Sequence, residues 1–170
     1  PFKTRLNLIG GFQAENVLLA AGLVIACGED PARVFDTLGD LETVHGRMQL
    51  AATRANGASV FVDYAHTPDA VETALKAMRP HVMGRLVALI GAGGDRDTTK
   101  RPLMGQAAAE NADLVFVTDD NPRSEDPAVI RAAVMGGAPE AIEVADRAEA
   151  ILRAVDALGP GDALLIAGKG

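Results

Sequence analysis

From residue 59 to residue 167, short apolar runs alternate with segments that open in helix-capping signals, and few folds accommodate that alternation. Residues 59–63, 86–90, 114–118 and 163–167 read as strands, the last apolar throughout, as strands buried on both faces are. Between them lie helix starts. Thr67-Pro68 opens a helix to about residue 78, residues 102–111 form another, and Asp126-Pro127 opens one to about residue 135. Asp146 with Glu149 is a capping-box variant that opens a helix to about residue 158. Strands alternating with helices are βαβ units. The expected fold class is therefore α/β: a Rossmann-like, mostly parallel sheet with flanking helices. A hairpin precedes it, residues 48–52 and 59–63 flanking Asn56-Gly57.

Residues 1–45 follow a different pattern, with a strand-like run at 5–9, a Gly10-Gly11 turn and a helix over 14–27. A second helix has Asp30 as N-cap and Pro31 at its first position. Two parts are expected, 1–45 and 46–170, with the linker near residues 41–46. The chain opens inside a strand-like run without Met and stops just after an apolar strand, so a piece of a larger protein is expected at both ends.

Bulk properties narrow the function. The net charge of −7 argues against general nucleic-acid binding. No apolar run reaches a membrane span, and Pro1-Phe2-Lys3-Thr4-Arg5 is not a signal peptide. A single cysteine, Cys27, cannot build an internal disulfide framework, which suits a reducing cytoplasm; within its Ala-rich run it reads as a small core residue. The histidines are too scattered for a metal site, and His45 and His81 read as surface residues.

The chemistry gathers at strand ends. Thr118-Asp119-Asp120-Asn121-Pro122-Arg123 leaves the strand over 114–117, and Pro122 stiffens the turn. In open α/β sheets that end is where ligands sit. Arg can grip a carboxylate with two parallel bonds while Asp and Asn hold an ammonium, so the set suits a zwitterion. Gly91-Ala92-Gly93-Gly94-Asp95-Arg96 is a Gly-rich turn after another strand. Its glycines would let backbone N–H groups approach a phosphate or carboxylate, or simply make a tight turn. Arg96 stands where a dinucleotide fingerprint needs its third glycine, and no Walker loop occurs. Arg96, Lys100 and Arg101 gather cations there. In Val62-Asp63-Tyr64-Ala65-His66-Thr67-Pro68-Asp69, Asp63 could bind a ribose or an ammonium; Thr67 and Asp69 are explained by the helix start, whereas His66 is not.

Together these motifs resemble the C-terminal domain of the Mur ligases. The resemblance rests on residues 62–70, on the Gly91 stretch with its Lys100-Arg101-Pro102-Leu103-Met104-Gly105 ending, on residues 119–123, and on Ala167-Gly168-Lys169-Gly170. Gly11-Phe12-Gln13-Ala14-Glu15-Asn16 resembles the adenine-side motif ending the family's central domain, with Gln13 where the family usually has Asn. Residues 1–45 would then be the end of the ATP-binding central domain, and 46–170 a truncated amino-acid-binding domain.

The resemblance implies an ATP- and Mg²⁺-dependent ligase of peptidoglycan synthesis, in which a UDP-linked peptide carboxylate becomes an acyl phosphate and an incoming amine displaces phosphate. No protein nucleophile is needed; positioning and charge stabilisation do the work. By motif match, Arg96, Asp120, Asn121, Pro122, Arg123 and Gly168 form the amino-acid pocket. Asn16, Arg47, Asp63 and His66 fall on the ATP side. Arg after Asp-Asn-Pro implies meso-diaminopimelate as the amino acid and UDP-N-acetylmuramoyl-dipeptide as co-substrate. A buried arginine would reject lysine on the order of 10⁴–10⁵-fold. A cytoplasmic bacterial monomer without nucleic-acid or membrane partners is expected, inactive as this piece alone. The alternatives are an L-lysine-adding homologue, a folylpolyglutamate synthetase, a non-catalytic amino-acid-binding module and a Rossmann oxidoreductase.

Overall fold

The computed structural model describes residues 2–168; Lys169 and Gly170, which close the last of the sequence motifs, lie outside the described residues. The chain divides into two compact units, Pro1–Val44 and His45–Gly170.

The N-terminal unit is helical. α1 (Gly11–Ala26) and α2 (Pro31–Asp36) enclose a small core of Val17, Ala21 and Leu38, with Leu6, Leu8, Val34 and Phe35 against it. Asp30 caps α2 by accepting from Arg33 N at 3.0 Å. Residues 5–9 are not in a strand, contrary to the sequence pattern, since an apolar run becomes a strand only with a ladder partner. Cys27 is exposed and not in the core, because it falls at the C-cap of α1 beyond the stripe of Val17 and Ala21.

The second unit carries a six-stranded sheet in the order β1-β2-β6-β3-β4-β5. The strands are β1 (Gln49–Thr53), β2 (Ser59–Asp63), β3 (Leu86–Ile90), β4 (Leu114–Val117), β5 (Ile142–Glu143) and β6 (Ala163–Ala167). β1 is antiparallel to β2 and every other pairing is parallel. Asn56-Gly57 does turn the hairpin: Gly57 takes φ 87° and Asn56 Oδ1 accepts from Ala58 N. The helices are α3 (Pro68–Met78), α4 (Lys100–Asn111), α5 (Pro127–Met135) and α6 (Arg147–Asp156). α3 packs on α4 and α4 on α5. α6 covers the opposite face through Ala150, Ala154 and Leu158 against Val60, Val87, Leu89, Phe116, Leu164 and Ile166.

β3 and β6 are buried at every position. The reason is topological: chain order runs β2, β3, β4, β5, and β6 then returns to fill the slot between β2 and β3. The central strands thus have helices on both faces, and residues alternating along β3 serve the two faces in turn. The local caps hold as expected, Thr67, Asp126 and Asp146 accepting from Ala70 N, Ala128 N and Glu149 N.

Candidate functional site

The parallel strands all point their C-terminal ends to one edge, and a cleft of about 660 Å³ opens there. Its lining comes from the loops after β2, β3, β4 and β6. Arg96, Asp120, Asn121, Pro122, Arg123 and Gly168 all line it, so the residues assigned to the amino-acid pocket come together from three separate loops. His66 lines it too, with Tyr64 and Thr67 beside it.

Two loops are latched across the cleft floor. Gly94 N donates to Asn121 O at 2.9 Å, and Arg123 Nη1 donates to Gly94 O at 2.6 Å. Asp95 accepts from Ser124 Oγ at 2.6 Å, while Glu125 accepts from Asp95 N at 2.6 Å and from Arg101 Nη2 at 2.7 Å. A Cβ on Gly94 would stand 1.8 Å from Pro122 O, and one on Gly93 2.8 Å from Arg123 Nη1. At these positions the glycines let two loops interlock.

Asp95 (φ 52°) and Arg123 (φ 50°) both occupy the left-handed region, as does Met48 (φ 48°). Non-glycine residues persist there when the surroundings over-determine them, and such residues cluster at functional sites. Asp95 and Arg123 belong to the latch. Met48 N donates to Asp63 Oδ2 at 2.7 Å.

The electrostatics separate candidate ligand groups from braces. Arg101 is only 3% exposed and gives its charge to Glu125, its Nε having no hydrogen-bond partner among the described residues. The hydrogen bond to Glu125 raises the Arg101 pKa, and the reciprocal bond from Arg101 lowers that of Glu125. Of the expected cation cluster, then, Arg101 is a buried brace, while Arg96 and Lys100 stay exposed. Asp119 is likewise a brace. It pairs with Arg131 of α5, which also donates from Nε to Glu143 at 2.7 Å. Arg123 is exposed too, so neither Arg96 nor Arg123 is the buried guanidinium expected from the sequence. The cleft is open at this edge, and an unmatched arginine can remain hydrated.

Of the residues assigned to ATP, Arg47, Asp63 and His66 lie close together in the second unit. Asp63 and Arg47 lie outside the cleft lining, although next to it in sequence or contact. Both carboxylate oxygens of Asp63 accept backbone bonds, from Met48 N and from Ala65 N at 2.8 Å, and its carbonyl accepts from Gly168 N at 3.0 Å. Arg47 stacks 4.6 Å from the Tyr64 ring centroid, and His66 meets that ring edge-on at 4.8 Å. His66 Nδ1 is 3.0 Å from Tyr64 O, a bond only a protonated Nδ1 can make, which leaves Nε2 as the acceptor of the neutral ring. This cation–aromatic–imidazole stack offers a flat, polar rim suited to a heteroaromatic base. Asn16 stands exposed on α1 of the other unit, donating to Gln13 Oε1 at 3.3 Å. Among the described residues no group of three or more His, Cys, Asp or Glu is arranged to hold a metal, and no helix is long and apolar enough to cross a membrane.

The cleft has the plan of an α/β ligand site with matched charges, and the sequence as a whole decides the family. Residues 46–170 match the Mur ligase, glutamate ligase domain. The chain belongs to the Mur ligase family. It is 56% identical over 166 residues to the UDP-N-acetylmuramoyl-L-alanyl-D-glutamate--2,6-diaminopimelate ligase of Caulobacter vibrioides, covering 98% of this chain and 34% of that one. Against the ligase of the same name from Bradyrhizobium diazoefficiens it is 58% identical, covering 97% and 34%. A solved structure bearing that enzyme name superposes with a TM-score of 0.71 at 40% identity, over 99% of this chain and 35% of the other. UDP-N-acetylmuramate-alanine ligase from Thermotoga maritima shares the fold, with a TM-score of 0.76 at 24% identity over 100% of this chain and 37% of that one. The chain thus spans about a third of the length of its curated relatives.

Sequence reasoning missed Tyr64, which lines the cleft and links Arg47 to His66. It also missed Arg147, which reaches the same strand ends from α6. The signal for Arg147 was available: a cation in the first turn of a helix opposes the helix dipole and needs another reason to be there.

Proposed function

We propose that this chain is the amino-acid-binding third of an ATP- and Mg²⁺-dependent amide ligase, which joins meso-diaminopimelate to UDP-N-acetylmuramoyl-L-alanyl-D-glutamate in the cytoplasm of a bacterium. The observation that carries the reading is the cleft, where Arg96 and Arg123 stand with Asp120 and Asn121 at the carboxyl ends of β3 and β4. The guanidiniums would receive the distal carboxylate, and Asp120 with Asn121 the distal ammonium. The relatives that match nearly all of this chain carry the name of that ligase.

In this reading ATP phosphorylates the peptide carboxylate to an acyl phosphate, releasing ADP. The amine of the amino acid attacks the acyl carbon, and the C–O bond to phosphate breaks as the amide forms. The residues of this chain hold the amino acid in place for that attack. The Arg47–Tyr64–His66 rim and the remaining acceptor capacity of Asp63 would meet the nucleoside, and the family resemblance gives Asn16 a part on the adenine side. Mg²⁺ would be held by phosphate oxygens and by groups outside this chain.

The deciding test is a steady-state comparison of meso-diaminopimelate and L-lysine with the complete ligase. Because both arginines are exposed, the missing carboxylate should cost about 2–4 kcal/mol, roughly 30- to 1,000-fold in kcat/KM, less than a buried guanidinium would impose. Near-equal values, or a preference for lysine, would overturn the substrate assignment.

A further inference from the structure

Arg147 is the first residue of α6, which covers the sheet face opposite α3–α5. Its side chain does not run out to solvent. Nη2 donates to Ala167 O at 2.7 Å, at the end of β6, and Nη1 donates to Asp119 O at 3.4 Å, just past β4. Nη1 also lies 3.4 Å from where a Cβ on Gly91 would stand, just past β3. One guanidinium therefore bonds to the chain at two strand ends and stands beside a third between them.

Each of those ends leads directly into the cleft. Ala167 is followed by Gly168, which takes φ 95° and lines the cleft. Asp119 is followed by Asp120. A Cβ on Gly168 would stand 3.4 Å from Asp120 Oδ2, and one on Gly91 would stand 3.2 Å from Asp120 Cβ. Asp120 is thus seated in a socket that glycines leave open on either side and that Arg147 closes from behind.

The placement is unfavourable on its own terms. Burial pulls the Arg147 pKa below that of an ordinary arginine, with Asp120 acting in the opposite direction, and a cation at a helix N-terminus opposes the dipole. Asp146 already caps α6. A role for Arg147 must come from the strand ends it ties together.

We propose that Arg147 is a positioning residue of the amino-acid pocket, fixing the carbonyls of Asp119 and Ala167 so that Asp120 and Gly168 present a rigid seat for the substrate ammonium. This rests on the ligase reading above. Arg147 touches no substrate; it acts through the two residues that follow its acceptors.

The test uses the complete ligase, first as wild type and then as Arg147→Met and Arg147→Lys, with KM for meso-diaminopimelate, KM for ATP, kcat and thermal midpoint all measured. Arg147→Met keeps most of the stem and loses both donors; it should raise the diaminopimelate KM at least 10-fold while the ATP KM stays within about 2-fold. Arg147→Lys keeps the charge but can serve only one carbonyl well, and should fall between the two. A purely structural staple would lower the thermal midpoint and leave the diaminopimelate KM of the folded enzyme unchanged, and that result overturns the inference while sparing the ligase reading. Equal rises in both KM values would overturn it as well. If wild type does not use diaminopimelate at all, the ligase reading falls and this inference falls with it.

Discussion

Arg123 Nη1 donates to the carbonyl oxygen of Gly94 at 2.6 Å, so a residue proposed to meet the ligand carboxylate also ties the β4 loop to the β3 loop. The same residue holds φ 50°. Side chain and backbone of Arg123 therefore carry separate tasks, and two substitutions separate them. In the complete ligase Arg123→Ala should raise the diaminopimelate KM by roughly 30- to 1,000-fold, the loss of a charge-assisted contact of about 2–4 kcal/mol, with the ATP KM much less affected. Arg123→Gly should lose binding equally but melt above Arg123→Ala by the equivalent of about 1 kcal/mol, because only the glycine is relaxed in the left-handed region. An unchanged diaminopimelate KM in both variants would remove Arg123 from the pocket.

Gly94→Ala should be among the most damaging single-methyl changes in the chain. Its Cβ would meet Pro122 O at 1.8 Å, and backbone cannot step aside as a flexible side chain can. The two loops would have to part, at a cost of about 1–3 kcal/mol or more, with ligand binding lost alongside. Gly22→Ala is the control, since it lies within α1 with nothing within 4 Å of the added methyl; it should be neutral or stabilising. Urea denaturation of both variants decides the matter.

Acid should unfold the second unit partly through Asp162. This carboxylate is 6% exposed, and burial alone would raise its pKa. Bonds from Gly159 N and Arg85 N, and then the Arg85 guanidinium, outweigh burial and hold it below the ordinary carboxylate value. A depressed folded-state pKa means stability that is fully present above about pH 3.9, the unfolded value, and is lost as pH falls through the folded value below it. Asp162→Asn should be less stable at neutral pH and should flatten the stability profile below pH 4. A variant with an unchanged acid limb would show that other carboxylates dominate.

A protein made of residues 46–170 alone should fold. The sheet, its helices and the cleft all lie within the unit His45–Gly170. Circular dichroism should show a cooperative transition, and limited proteolysis of the whole chain should cut near residues 41–46 first. Early cleavage within β3 or β6 would contradict this.

The parts of this fold that were legible in the sequence are those fixed by near neighbours. Asn56-Gly57, Thr67-Pro68, Asp126-Pro127 and Asp146 each act within three residues of themselves, and each does in the structure what its pattern implies. The strand-end positions of Arg96, Asp120 and Arg123 are legible from the apolar runs before them, and their grouping in one pocket follows from the family resemblance; the structure brings all three to the lining of one cleft. What was not legible depends on partners far away in the chain. Residues 5–9 look like a strand but take no strand partner, and the two-residue β5 is too short to show a period. The exposure of Arg96 and Arg123 was misjudged because composition does not say how open a cleft is. The unusual place of Arg147 at a helix start is visible in the sequence, but its acceptors, 20 and 28 residues away, are not.

The position of β6 between β2 and β3 also bears on how the protein is made. A ribosome delivers β6 after the other strands of the sheet. Until it emerges, β2 and β3 have no ladder between them, and the nascent chain carries a slot with two unsatisfied backbone edges. Closing the sheet therefore requires contacts distant in sequence, β6 pairing with both β2 and β3, which favours slow folding. The same closing step brings Gly168 beside Asp120, so the cleft at the strand ends and the folded sheet come into being together.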